Sequence, residues 1–154
     1  MKLSILTVGK PGESFYLRGV EEYLKRSQRY VQIEWLIAPP SSGKQSVEKV
    51  IASETQTLLK LVKPRDHLVL LDKEGKTFTS RAFSSWIEGA LGEVSGRVVF
   101  VIGGPYGVGQ ELKTRSNLML SLSDMTLPHE LCLVFLTEQI YRALSIIAGS
   151  SYHH

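Results

Sequence analysis

Residues 99–109 read VFVIGGPYGVG, an apolar run that leads into four glycines and a proline within seven residues. Bare backbone at that density serves one of two ends. It permits a tight turn that needs positive φ, or it forms a wall against which a small molecule lies without meeting side chains. Phosphate cradling fits poorly. A Walker loop needs G-x-x-x-x-G-K-[ST], whereas Gly43-Lys44-Gln45 lacks the first glycine and the hydroxyl; GGPYGVG carries no lysine and does not match G-x-G-x-x-G. A neutral or weakly polar ligand held by N–H and C=O groups remains, alongside the plain turn.

A second stretch, SLSDMTLPH over 121–129, leads into a helix whose start has a poor cap, because Leu127 precedes Pro128. Free N–H groups at such a start suit a ligand's carboxylate or an adenine edge, with Met125 and Leu127 as apolar walls for a flat ring. Ordinary packing of a loop into a helix explains the same residues. Cys132 is the only cysteine, so no intrachain disulfide and no cysteine-based metal cluster forms. Within LCLVFL it reads as a buried, inert thiol, in keeping with a reducing compartment.

The elements that must position these segments alternate. Apolar or β-rich runs at 2–9, 30–37, 66–72, 97–104 and 117–123 predict strands. Helices are expected at 13–29, 45–62, 79–91 (capped by Thr79 or Ser80) and 128–149, the last with Pro128 in its first turn and Gly149 as its stop. KEGK after the third strand reads as a turn. The pattern predicts a single α/β domain with a mainly parallel sheet. Such sheets bind ligands beyond the carboxyl ends of their strands. LLDKEGK, IGGPYGVG and SLSDMTLPH each end a strand, so if those strands are neighbours the three loops share one rim. The apolar positions Leu133, Leu136, Ile140, Leu144 and Ile147 read as core or subunit interface.

With 154 residues, 43% hydrophobic and 21% charged, the chain has the make-up of one globular domain with a real core. The net charge of +3 is unevenly placed. Residues 1–62 hold 9 Lys/Arg against 6 Asp/Glu, and 63–154 hold 9 against 9. Lys25, Arg26 and Arg29 are the candidate anion-facing cluster; a solvated helix face is the alternative. The start MKLSILTVGK lacks the features of a signal peptide, and Thr137, Glu138, Gln139 and Arg142 interrupt the most apolar segment, so no membrane span is expected.

MKLSILTVGK, EEYLKR, LLDKEGK, VIGGPYG, LSLSDMTLPHEL, EQIYRALSIIAG and the terminal YHH together resemble the RlmH family of SPOUT-class methyltransferases, in order and over essentially the whole chain. The resemblance implies a minimal SPOUT domain with a C-terminal trefoil knot, working as a cytoplasmic (or organellar) homodimer. It implies methylation of N3 of a pseudouridine in the helix 69 loop of 23S rRNA in the assembled ribosome, with S-adenosyl-L-methionine as donor and no metal. A SAM-binding, ribosome-associated module without turnover, or a SPOUT enzyme with another RNA target, are the other readings. By motif the donor contacts fall at Leu71, Gly103, Leu122, Ser123, Asp124, Met125, Thr126 and Leu127. The nucleophile would be an imide nitrogen, protonated at neutral pH, so a base or a cation should help it lose its proton. His129, Arg142, Tyr152 and His153 are the candidates. Glu138 and Arg142, spaced i, i+4, also read as an ordinary helix pair. The family's tail is Tyr-His followed by Arg or Lys, and here the last residue is His154.

Overall fold

The sheet's middle strand shows how the chain divides its core. The computed structural model describes residues 2–153; His154, and with it the reading of the chain's last residue, lies outside the described residues. In β4 (Val98–Ile102) all five residues are buried. Val98, Phe100 and Ile102 pack into one apolar cluster and Val99 and Val101 into another. Successive side chains of a strand point to opposite faces, so a strand covered on both reads as an unbroken apolar run.

Four further strands, β1 (Lys2–Val8), β2 (Gln32–Ala38), β3 (His67–Thr77) and β5 (Leu118–Ser121), complete a sheet in the order β2-β1-β4-β3-β5, with every pairing parallel. The helices α1 (Ser14–Ser27), α3 (Ser80–Glu93) and α5 (His129–Ile147) supply Val20, Phe83, Ile87, Leu133, Leu136 and Ile140 to the larger cluster. On the other face α2 (Val47–Leu61) and α4 (Gln110–Arg115) supply Leu58 and Leu112. The predicted α/β class with a mainly parallel sheet is what the structure has, and its helices cover both faces.

Local chemistry sets the helix ends. Ser46 Oγ accepts the Lys49 N–H at 3.3 Å to open α2, and Thr79 Oγ1 accepts the Ala82 N–H at 3.1 Å to open α3. Ser80, the other capping candidate, instead donates to Gln139 Oε1. At the end of α5, Gly149 adopts φ +72 and donates to the Ile146 carbonyl, while Ser150 N–H reaches the Ser145 carbonyl. That paired closure turns the chain back over the helix it has just left. Of the predicted apolar positions on α5, Leu133, Leu136, Ile140 and Leu144 are core, and Ile147 lies at the exposed end.

One expectation needs correction and one element is new. KEGK is not a terminating turn: β3 runs on to Thr77, with a register shift in which Leu71 and Lys76 both pair with Leu120. Residues 72–75 bulge out of the strand, and Glu74 N–H bonds back to Asp72 Oδ1 at 2.8 Å. The short α4 has no counterpart in the sequence reading. Its six residues span under two turns, too few to show a helical period.

The opposite end of the sheet is pinned by charge. Arg97 bonds Asp66 at 2.6 Å and Glu34 at 3.1 Å, and also donates to the Leu61 carbonyl. Burial pushes the Asp66 carboxyl up, but the Arg97 guanidinium and the backbone N–H groups of Lys63 and Arg97 outweigh it and hold it below the ordinary range. A carboxyl so depressed stabilises the fold above its unfolded value, and that contribution fades as pH falls through the folded value. Asp66→Asn should therefore cost roughly 2–4 kcal/mol at neutral pH. The gap from wild type should close as pH drops below about 4, as denaturant unfolding across pH will show.

Candidate functional site

Because β4, β3 and β5 are adjacent and parallel, their carboxyl ends deliver three loops to one rim, as the sequence reading anticipated. Between these loops and the start of α5 lies a cavity of about 400 Å³. Leu71 and Asp72 line it from β3, Gly103, Gly104 and Val108 from the loop after β4, and Leu122, Ser123, Met125, Thr126 and Leu127 from the loop after β5; Pro128, His129 and Cys132 close it.

Both glycine-rich and serine-rich loops are braced by short hydrogen bonds. Gly104 to Gly107 form a tight turn with Pro105 second, closed by the Gly107 N–H to the Gly104 carbonyl at 3.0 Å, and Gly107 has φ +88. Gly109 stands at the cap of α4 and gives its N–H to Thr55 Oγ1 at 2.8 Å. These two glycines therefore have a structural reason to be there. Gly103 lines the cavity, yet a Cβ on it would fall 2.5 Å from Val108 Cγ1, so its bareness also lets Val108 pack behind the wall. After β5, Ser121 Oγ donates to the Ser123 carbonyl and Met125 N–H to Ser123 Oγ, curling the loop over the opening. Met125 is 80% exposed at that lip. Pro128 caps α5 without any side-chain bond to its first turn. Of the eight predicted donor contacts, seven line the cavity; Asp124 is exposed and does not.

The four predicted chemical residues separate into two places. His129 stands on the cavity rim. Arg142 lies thirteen positions further along α5, about 20 Å at roughly 1.5 Å per residue. There it meets the returning tail. Its Nη2 bonds Glu138 Oε1 at 2.6 Å, its guanidinium covers the Tyr152 ring at 4.9 Å, and its Nη1 lies 3.4 Å from His153 Nδ1. Tyr152 donates to Glu138 Oε1 at 3.3 Å. Burial first, then the Glu138 charge and Tyr23, push the Tyr152 phenol up to about 12, so it stays protonated. Around this cluster Arg29 donates to Tyr141 Oη at 3.1 Å, and Arg26 lies over Tyr23.

A family model described as a predicted SPOUT methyltransferase matches residues 1–153. Proteins named ribosomal RNA large subunit methyltransferase H are 37% identical in Cytophaga hutchinsonii, over all of both chains, and 38% identical in Maridesulfovibrio salexigens, over 99% of this chain and 98% of that one. The chain belongs to the RlmH family of SPOUT methyltransferases. A probable methyltransferase from Bordetella pertussis, 13% identical, superposes with a TM-score of 0.54 over 93% of each chain, which shows that the fold is shared. Among the described residues no helix is long and apolar enough to cross a membrane, and no group of three or more His, Cys, Asp or Glu is placed to hold a metal.

In this RlmH-family chain several residues at the site escaped the sequence reading. Glu54 and Thr55 of α2 support the glycine loop from behind, and Val108 and Cys132 complete the cavity wall. Glu54 carried a usable signal: it falls on the stripe Val50, Glu54, Leu58, where the helical period puts a charge on the buried side. Burial pushes the Cys132 thiol up to about 11. At pH 8 it should therefore react with iodoacetamide about two orders of magnitude more slowly than an exposed thiol. Denaturant should restore the ordinary rate, which mass spectrometry of the alkylated protein will follow.

Proposed function

We propose that this protein transfers a methyl group from S-adenosyl-L-methionine to N3 of a pseudouridine in the helix 69 loop of 23S rRNA, acting on the ribosome as a homodimer. The single observation that carries the reading is the meeting of the β3, β4 and β5 loops around one cavity, in a chain whose full-length relatives are named large-subunit rRNA methyltransferases. The residues fit the donor. The cavity volume lies in the range of small-molecule sites, and its walls are aliphatic side chains interleaved with glycine and serine backbone. Leu71, Gly103, Leu122, Ser123, Met125, Thr126 and Leu127 would hold the donor, adenine against aliphatic carbon and its edge against backbone polar groups.

Bound there, the donor supplies a methyl carbon already made electrophilic by the sulfonium. The chain's own task is alignment and disposal of a proton. As N3 bonds to the methyl carbon and the sulfur keeps the electron pair, the N3 proton must leave. Tyr152 cannot take it, because its phenol is protonated and bonded to Glu138. His153 Nδ1 lies 3.4 Å from the Arg142 guanidinium, at the tail and away from the cavity. His129, on the rim, is the ring left free to accept. Arg142, oriented by Glu138, is a permanent cation suited to the negative charge that develops on the imide.

Spacing along α5 is the reason for a dimer. His129 and the Arg142 cluster cannot reach one nucleotide in the same chain. Leu131, Phe135, Glu138 and Arg142 follow a 4-3-4 spacing on one outer face of α5. Leu131 is 37% exposed there, and Phe15 on the neighbouring first turn of α1 is 56% exposed. If the two-fold axis runs across this face, the paired α5 helices lie antiparallel and each Arg142 cluster stands beside the other copy's cavity.

The test is transfer of labelled methyl to 70S ribosomes, naked 23S rRNA and tRNA. Ribosomes should be labelled at one pseudouridine and the others far less; label confined to tRNA, or none at all despite SAM binding, would sink the reading. Arg142→Ala, and separately removal of the chain from Tyr152 onward, should each lower kcat by about 100-fold or more while SAM affinity stays within about twofold. Leu131→Glu should yield a monomer by sedimentation that binds SAM without transferring methyl. A monomer with full turnover would show the site to be complete in one chain.

A further inference from the structure

Glu54 is 5% exposed, and within the described residues it belongs to no ion pair. Its Oε2 accepts a long bond from Ser41 N–H at 3.4 Å, and its Oε1 has no partner. Burying a carboxylate without a cation and with an oxygen unpaired costs stability, so packing gives no reason for a charge here. Its location supplies one. Gly104 lines the cavity with one side of its backbone, and on the other side a Cβ would fall 2.5 Å from Glu54 Oε1. A single layer of glycine backbone thus separates the carboxylate from the space in which the methyl donor is proposed to lie. The next residue, Thr55, holds the far end of the same loop through Gly109 N–H, so the wall between charge and cavity is fixed in place.

We infer that Glu54, set behind Gly104, is a specificity-determining residue that favours the cationic methyl donor over its neutral product. The inference rests on the reading of the cavity as the methyl-donor site. S-adenosyl-L-methionine carries a sulfonium, an ammonium and a carboxylate, for a net charge of +1. When the S–CH₃ bond breaks and the N–CH₃ bond forms, the sulfur keeps the electron pair and S-adenosylhomocysteine is left with no net charge. A buried carboxylate is screened far less than a surface one, so its field reaches across the loop. The attraction is present before transfer and gone after it, so the same charge that draws the substrate in lets the product leave. Two opposite unit charges about 8 Å apart, at an effective dielectric constant of about 20 to 40, attract strongly enough to change binding by roughly five- to thirtyfold, which sets the scale of the bias across one layer of backbone.

Isothermal titration with S-adenosyl-L-methionine and with S-adenosylhomocysteine, on wild type, Glu54→Gln and Glu54→Asp, tests this. Glu54→Gln should lower the preference for S-adenosyl-L-methionine over S-adenosylhomocysteine by about five- to thirtyfold, almost wholly through weaker binding of the cationic ligand. The thermal midpoint without ligand should be unchanged or higher, because a buried unpaired charge has been removed. Glu54→Asp, which keeps the charge, should restore most of the preference. Equal weakening of both ligands by Glu54→Gln would overturn the inference and leave Glu54 as a mere support of the wall, and no change for either would overturn it too. If wild type binds neither ligand, the methyl-donor reading itself falls; a wild type that binds both confines failure to Glu54.

Discussion

Parallel strands deliver all their carboxyl ends to one rim, and the order β2-β1-β4-β3-β5 sets three of those ends side by side. Everything proposed for this protein depends on that adjacency. LLDKEGK, IGGPYG and SLSDMT are far apart in the chain, and no local feature joins them. They meet because β3 pairs with β4 on one edge and β5 on the other. Central burial of β4 keeps the arrangement rigid, since all five of its side chains are locked between the two helix layers. A rigid base of this kind suits a reaction whose main demand is alignment.

The two ends of the sheet divide the work. At the amino ends of the strands, Arg97, Asp66 and Glu34 satisfy one another and the backbone around them, so charge there is spent on stability. At the carboxyl ends polar groups are left short of partners: the first turn of α5 lacks a side-chain cap, and Glu54 Oε1 and Ser41 Oγ are unpaired. His67 Nε2, at the amino end of β3, is also unpaired, but of the three only Glu54 Oε1 lies directly behind the cavity wall.

What could be read from the sequence follows from how far each signal reaches. The strands announce themselves as apolar runs and the long helices by period and caps, both being local properties. The shared rim was also legible, because an alternating pattern implies a parallel sheet and a parallel sheet implies one functional edge. The bulge at 72–75 was not, since it arises from a clash of register between β3 and β5 that only the pairing creates. The separation of His129 from Arg142 is legible in the sequence too. Both belong to one helix, and counting 1.5 Å per residue already places them about 20 Å apart. The tail's return was half visible: Gly149 marks the stop, but where Tyr152 lands depends on Tyr141, Glu138 and Arg142 meeting it.

A net charge of +3 is small for a protein that grips RNA, and the arrangement of the cations bears on how it does so. Arg26, Arg29 and Arg142 each lie over a tyrosine ring, at 5.7, 4.9 and 4.9 Å, and the three rings and Tyr141 form one connected surface where α1 meets the end of α5. A guanidinium held flat on an aromatic face keeps its N–H edges directed outward and gives up little rotamer entropy on binding a phosphate. Arg26 and Arg142 are each paired with a carboxylate, Glu22 and Glu138, whereas Arg29 has no carboxylate partner among the described residues. Arg29 is thus the cation of this surface with no carboxylate beside it, and the one best suited to a phosphate. In the proposed dimer two such surfaces flank the paired α5 helices, so a modest charge is concentrated on one side of the molecule.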